Sequence, residues 1–215
     1  TGVNHEYYQP AIVFQNGVNG SKNIAEATSH EVGHNFGLSH DGTASLGYYT
    51  GHGAWAPIMG VGYSHPIVQW SRGEYAGANN QQDDFQVMAG HGLAIRADDH
   101  GDSTDSATPM PVTNTAIPGV ISSATDVDFF TITTGGAGFI NALPSSVAPN
   151  LDIRIDLYNS VGTLLASNDP ASSQIDADTA TGLGASVTIP NAGTFYVRVD
   201  GVGFGSPVNT GYSDY

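Results

Sequence analysis

The chain predicts an α+β segment followed by an all-β sandwich, and three observations carry that prediction. A helical pattern bearing regularly spaced histidines lies within the first forty residues. Short runs of alternating apolar and polar residues, separated by turn residues, fill the second half. The charge balance also changes along the chain. Up to Ala97 three Lys/Arg stand against seven Asp/Glu; from Asp98 onward two stand against thirteen, every one of them Asp. This break sets a boundary near Ala97, dividing 1–97 from 98–215.

The overall composition excludes several classes. With 5 basic and 20 acidic residues the net charge is -15, which repels nucleic acid and anionic membrane surfaces and favours cation binding. The absence of cysteine rules out a disulfide framework or a thiolate metal site. No apolar run reaches the length of a membrane span, and Thr1-Gly2-Val3 shows no signal-peptide pattern.

Taken in order, Tyr7 to Phe14 is rich in aromatic and branched residues and predicts a strand, pushed toward a sheet edge by Pro10. Such an edge could pair with an extended peptide, or the segment is an ordinary core strand. Asn16-Gly17 and Asn19-Gly20 are turn signals. Asn23 predicts an N-cap, with Glu26 reaching back as in a capping box. The helix then runs to Gly37 and leaves Ile24, Ala27, Val32 and Phe36 available for burial, an imperfect stripe because the histidines claim one face.

Within it, His30-Glu31-Val32-Gly33-His34 places two imidazoles four residues apart, on one helix face. Gly37 can take the left-handed conformation that ends a helix and turns the chain, bringing His40 round as a third nitrogen. Three protein ligands with an open fourth position describe a catalytic zinc site. Glu31, beside the first ligand, can reach a water there. His5, His52, His65, His91 and His100 fit no ligand spacing and read as loop or packing residues.

Gly42 to Gly53 reads as a loop. Trp55 to Gly60 reads as a tight apolar turn, with Met59 either core filler or a hydrophobic floor under the ligands. Ser71-x-x-Glu74 predicts a capped turn, and Asn80 to Ala89 a closing helix. Asp98 to Asp105 is an acidic linker. Runs at 127–132, 138–143, 151–158 and 194–199 predict strands, with Leu151, Ile153, Ile155 and Leu157 on one face. Asn159 to Gly162 predicts a hairpin to Thr163-Leu164-Leu165. Such strands argue for a β-sandwich.

The long zinc signature followed by a Met-bearing turn resembles the metzincin clan of zinc endopeptidases, and Asp41 after the third histidine resembles its adamalysin or reprolysin-like branch. That resemblance implies His30, His34 and His40 as Zn2+ ligands, Glu31 as general base, Met59 as the Met-turn residue and a protein or peptide as substrate. Some branches add a tyrosine ligand two places after the Met; here Val61 holds that place and Tyr63 is the nearest tyrosine. The clan places a helix and most of a twisted sheet before the zinc helix. The resemblance therefore implies a missing N-terminal part of the peptidase domain, and a chain that is an excerpt of a longer secreted precursor.

The second half resembles the bacterial pre-peptidase C-terminal domain, a jelly-roll-like sandwich. The resemblance rests on Asp126 to Phe130, on Leu151 to Tyr158 with Gly162, and on Gly193 to Val199. Related collagen-binding modules hold calcium near the entry linker. This implies Ca2+ held by Asp98, Asp99 and Asp102 with Asp126 or Asp128, since hard cations take clustered carboxylate oxygens; a solvated acidic linker is the alternative reading. The function expected is a secreted zinc endopeptidase. The alternative is a non-enzymatic assembly or adhesion protein, in which the sandwich binds polymer or other copies and the zinc site is structural.

Overall fold

The computed structural model describes residues 10–170, 182–209 and 211. His5 and the first part of the expected N-terminal strand, Tyr7 to Gln9, lie outside them. The described chain is a mixed α+β protein, with its helical and multi-stranded sheet regions in separate stretches. It forms two compact units. One comprises residues 10–95 with the segment that returns after residue 203; the other lies within Arg96–Val202. None of the described helices is long and apolar enough to cross a membrane.

In the first unit the N-terminal strand is not seen at residues 10–14. The backbone instead closes a short 3-10 turn at Gln15–Gly17, and Ile12 and Phe14 are 63% and 78% exposed. The residue types suit a strand, but among the described residues none of 10–14 takes part in a strand ladder. Helix α1 spans Ser21–Asn35 with Gly20 as its N-cap, so Asn23 lies inside the helix. Glu26 meets Lys22 one turn earlier rather than closing a capping box.

The helix ends as its glycine requires. Gly37 has φ of 92°, Gly37 N–H donates to His34 O at 3.0 Å and Leu38 N–H to Gly33 O at 3.0 Å. These two bonds make a Schellman ending. Ile24, Ala27, Val32 and Phe36 are only half-buried; Gly33 is the buried residue of α1. A side chain there would put its Cβ 2.7 Å from Met59 Sδ and 3.2 Å from both Leu38 and Trp70. The helix therefore meets its floor, made by Leu38, Met59 and Met88, through bare backbone.

Strands β1 (Trp55–Pro57) and β2 (Ile67–Gln69) pair in parallel, so the expected turn at 55–60 begins as a strand. The turn itself is closed by Gly60 N–H donating to Pro57 O at 3.0 Å. Helix α2 spans Asp84–Gly90, four residues later than the expected start, with the Asp83 side chain accepting from Gln86 N–H. Residues 80 and 82 are engaged elsewhere. Ser39 N–H donates to the Gln82 side chain at 2.8 Å, and Asn80 donates to Ser39 O and Asp41. The expected capped turn is present: Ser71 Oγ and Arg72 N–H both donate to Glu74. The returning segment joins this unit where Ala76 N–H donates to Val208 O at 2.9 Å and His52 Nε2 donates to Gly211 O at 2.8 Å.

In the second unit β3 (Thr108–Pro109), β4 (Val127–Thr134), β9 (Gly193–Gly201), β6 (Ile153–Asn159) and β7 (Leu164–Asn168) form one sheet in that spatial order. Strands β5 (Gly138–Ala142) and β8 (Ala185–Ile189) form another. The two share a core of Phe130, Ile132, Ile153, Ile155, Leu157, Val187, Ile189, Phe195 and Val197. Alternation along β6 buries Ile153, Ile155 and Leu157 as expected, but Asp156 is buried as well, at 2% exposure. It accepts from Arg154, Ser167 and Arg198, which satisfies the buried charge.

Candidate metal centre

Sequence spacing and helix ending together determine where the three histidines go. His30 and His34 stand one turn apart on α1, and the Schellman turn swings His40 back toward them. One ring nitrogen from each lies within 4.8 Å of the others. His30 Nδ1 donates to Ile58 O and His34 Nδ1 donates to Leu38 O, both at 2.8 Å. Since a carbonyl can only accept, each of these Nδ1 atoms carries the proton and each Nε2 a lone pair.

His34 Nε2 and His40 Nε2 lie 3.0 Å apart. An approach of this kind is stable only with a proton or a cation shared between the two. Tetrahedral zinc with Zn–N near 2.05 Å would separate its nitrogens by about 3.3 Å, close to the spacing of this pair, and three imidazoles are donors such an ion accepts. Burial lowers the pKa of His30, with His34 adding and the Ile58 carbonyl opposing. Burial also lowers that of His40, with His34 and His30 adding. Both effects favour the neutral imidazole that a metal requires.

Glu31 is exposed on α1, and its charge acts on both His30 and His40. Met59 is fully buried and packs against the helix at Gly33, while its carbonyl accepts from Asp41 N–H at 2.8 Å. Asp41, 1% exposed, accepts from Asn80 at 3.2 Å. Burial, with Glu74 adding, pushes its carboxyl up to about 7.

Several participants escaped the sequence reading. The carbonyls of Ile58 and Leu38 orient two of the imidazoles. Tyr48 packs its ring against His40, with centroids 4.2 Å apart. Tyr63, already named as the nearest tyrosine after the turn, is 42% exposed; its pKa is raised by burial first, then by Glu26 and Glu31. The tyrosine pair at 48–49 in a glycine-rich loop was the one available signal for Tyr48.

In the second unit, Asp98, Asp126 and Asp128 form one candidate group and Asp99, His100 and Asp128 another. The first suits a cation better, because both His100 nitrogens are engaged. Its Nδ1 meets Thr108 Oγ1 and its Nε2 donates to Pro118 O, each at 2.9 Å. Asp126 Oδ1 and Asp128 Oδ1 are buried and have no hydrogen-bond partner. Burial pushes the Asp128 carboxyl up to about 6; His100 opposes, while Asp126, Asp99 and Asp98 add. Asp102 stands outside both groups and accepts from Val127 N–H at 3.3 Å, while Asp99 accepts from Val120 N–H at 3.0 Å.

No family model matches this chain, and no curated protein matches its sequence.

Proposed function

We propose that the chain carries the active site of a secreted, reprolysin-like metzincin zinc endopeptidase, joined to a jelly-roll-like β-sandwich of the pre-peptidase C-terminal kind. The observation that supports it is the convergence of three imidazoles, two of them oriented by backbone carbonyls at Nδ1. His30, His34 and His40 would hold the zinc. When bound, that ion supplies Lewis acidity, making water nucleophilic near neutral pH and polarising a peptide carbonyl.

Glu31 takes the proton of the attacking water and returns it to the leaving amine. Its exposed position on α1 leaves the carboxylate open to both solvent and substrate. Met59 and Gly33 hold the helix at a fixed height, which keeps His30 and His34 in place. For the second unit we propose that Asp98, Asp126 and Asp128 hold Ca2+, because an unpaired buried carboxylate oxygen is costly without a partner.

The zinc reading is tested by metal analysis and by hydrolysis of an unfolded protein. The full chain is expected to hold one zinc, to lose it to a chelator and to cleave only when loaded. Glu31→Gln should keep the zinc and cut turnover by about 10²- to 10⁴-fold. Absence of zinc, or unimpaired cleavage by the variant, would overturn the reading. Tightly held zinc without any hydrolysis would favour a structural site.

A further inference from the structure

The loop after His40 leaves and returns to the same place. Thr43 N–H donates to Leu46 O at 2.8 Å, and Tyr49 N–H closes the loop on Asp41 O at 2.7 Å. Val61 N–H in turn donates to Tyr49 O at 2.9 Å, tying the loop to the segment that follows Met59. Tyr48 is the residue just before this closure.

His40 differs from the other two histidines in how it is held. His30 and His34 each give an Nδ1 proton to a backbone carbonyl; among the described residues His40 has a hydrogen bond only at Nε2. Its closest ring neighbour is Tyr48, with centroids 4.2 Å apart and planes tilted by 41°. His34 and His30 are farther, at 4.7 and 5.2 Å. The Tyr48 ring also lies 6.1 Å from that of His30. Aromatic rings at such separations attract one another in tilted arrangements.

We propose that Tyr48 is the positioning residue of the third ligand: its ring holds the His40 imidazole with Nε2 turned toward His30 and His34. The inference rests on the zinc reading above. Tyr48 is 45% exposed, so removing its ring opens no core and the consequence falls on His40. Groups that orient a metal-bound histidine typically contribute 10- to 100-fold to metal affinity.

The test uses the full chain and Zn2+ itself, titrated in competition with a chromophoric chelator. Tyr48→Ala is expected to bind zinc about 10-fold more weakly, while Tyr48→Phe, which keeps the ring, binds as the wild type does. Loaded with Co2+ instead, Tyr48→Ala should shift the visible absorption bands, which report ligand geometry. The metal-free melting midpoints of wild type and Tyr48→Ala should agree, separating orientation from stability. Equal zinc affinity in Tyr48→Ala with an unchanged Co2+ spectrum overturns the proposal. So does a loss in Tyr48→Phe as large as in Tyr48→Ala, which would assign the effect to the hydroxyl. A wild type that takes up no zinc, or a His34→Ala variant that binds it equally well, brings down the site reading and this inference with it.

Discussion

At the scale of single residues, Gly33 has the most to lose. Its hydrogen fills a place where a Cβ would meet Met59 Sδ at 2.7 Å, well inside van der Waals contact. Met59 is fully buried and has little room to withdraw. Gly33→Ala is therefore expected to destabilise the chain by about 1–3 kcal/mol through overpacking, despite alanine's better helix propensity. Urea unfolding followed by circular dichroism measures this; a midpoint equal to or above the wild type would show that the floor can yield. The histidines themselves were legible because their chemistry is written in local spacing. Tyr48 and the carbonyls of Ile58 and Leu38 were not, since their places depend on loop closures that no short pattern encodes.

At the scale of elements, the first turn of α2 is tied to the Ser71 turn through one buried side chain. Asp84 is 0% exposed. It accepts from Ser71 N–H at 2.8 Å and donates its own N–H to Ser71 O at 3.1 Å. Burial pushes its carboxyl up to about 8, with Asp41, Glu74 and Asp83 adding and the Ser71 amide opposing. An ordinary aspartate in the unfolded chain loses its proton near pH 4. Between about pH 4 and 8 the folded chain thus keeps a proton that the unfolded chain has released, and stability falls as pH rises through that window. Asp84→Asn mimics the protonated form and should reduce this slope, read from urea midpoints at pH 5 and pH 8; a slope as steep as the wild type's would refute the assignment. The element readings show the same division between local and distant causes. The alternation of β6 and the Asn159–Gly162 hairpin are local signals and were legible. The start of α2 was displaced because Asn80 and Gln82 are occupied with the turn that carries His40, and residues 10–14, strand-like in composition, join no strand among the described residues.

At the scale of the whole molecule, a net charge of -15 favours cations over anions, and in the second unit Asp126 Oδ1 and Asp128 Oδ1 are buried without a hydrogen-bond partner, where a bound cation would relieve them. Millimolar Ca2+ at pH 7 is expected to raise the melting temperature of the full chain by on the order of 5 °C. Asp126→Asn should lose most of that rise. An unchanged midpoint with and without chelator would leave these residues as a buried acidic cluster only. The division of charge along the sequence was visible from composition. The way residues 203–209 and 211 rejoin the first unit carried no such mark, because the stretch is glycine-rich and its attachment depends on His52 and Ala76, far away in sequence.

That return has a consequence for synthesis. A ribosome makes the chain from the amino end, and domains generally fold as they emerge. Here the first unit cannot be finished in that order: the carbonyls that Ala76 N–H and His52 meet, those of Val208 and Gly211, are made only after the whole of Arg96–Val202. The unit that carries the three histidines receives these two bonds only after the second unit has been synthesised.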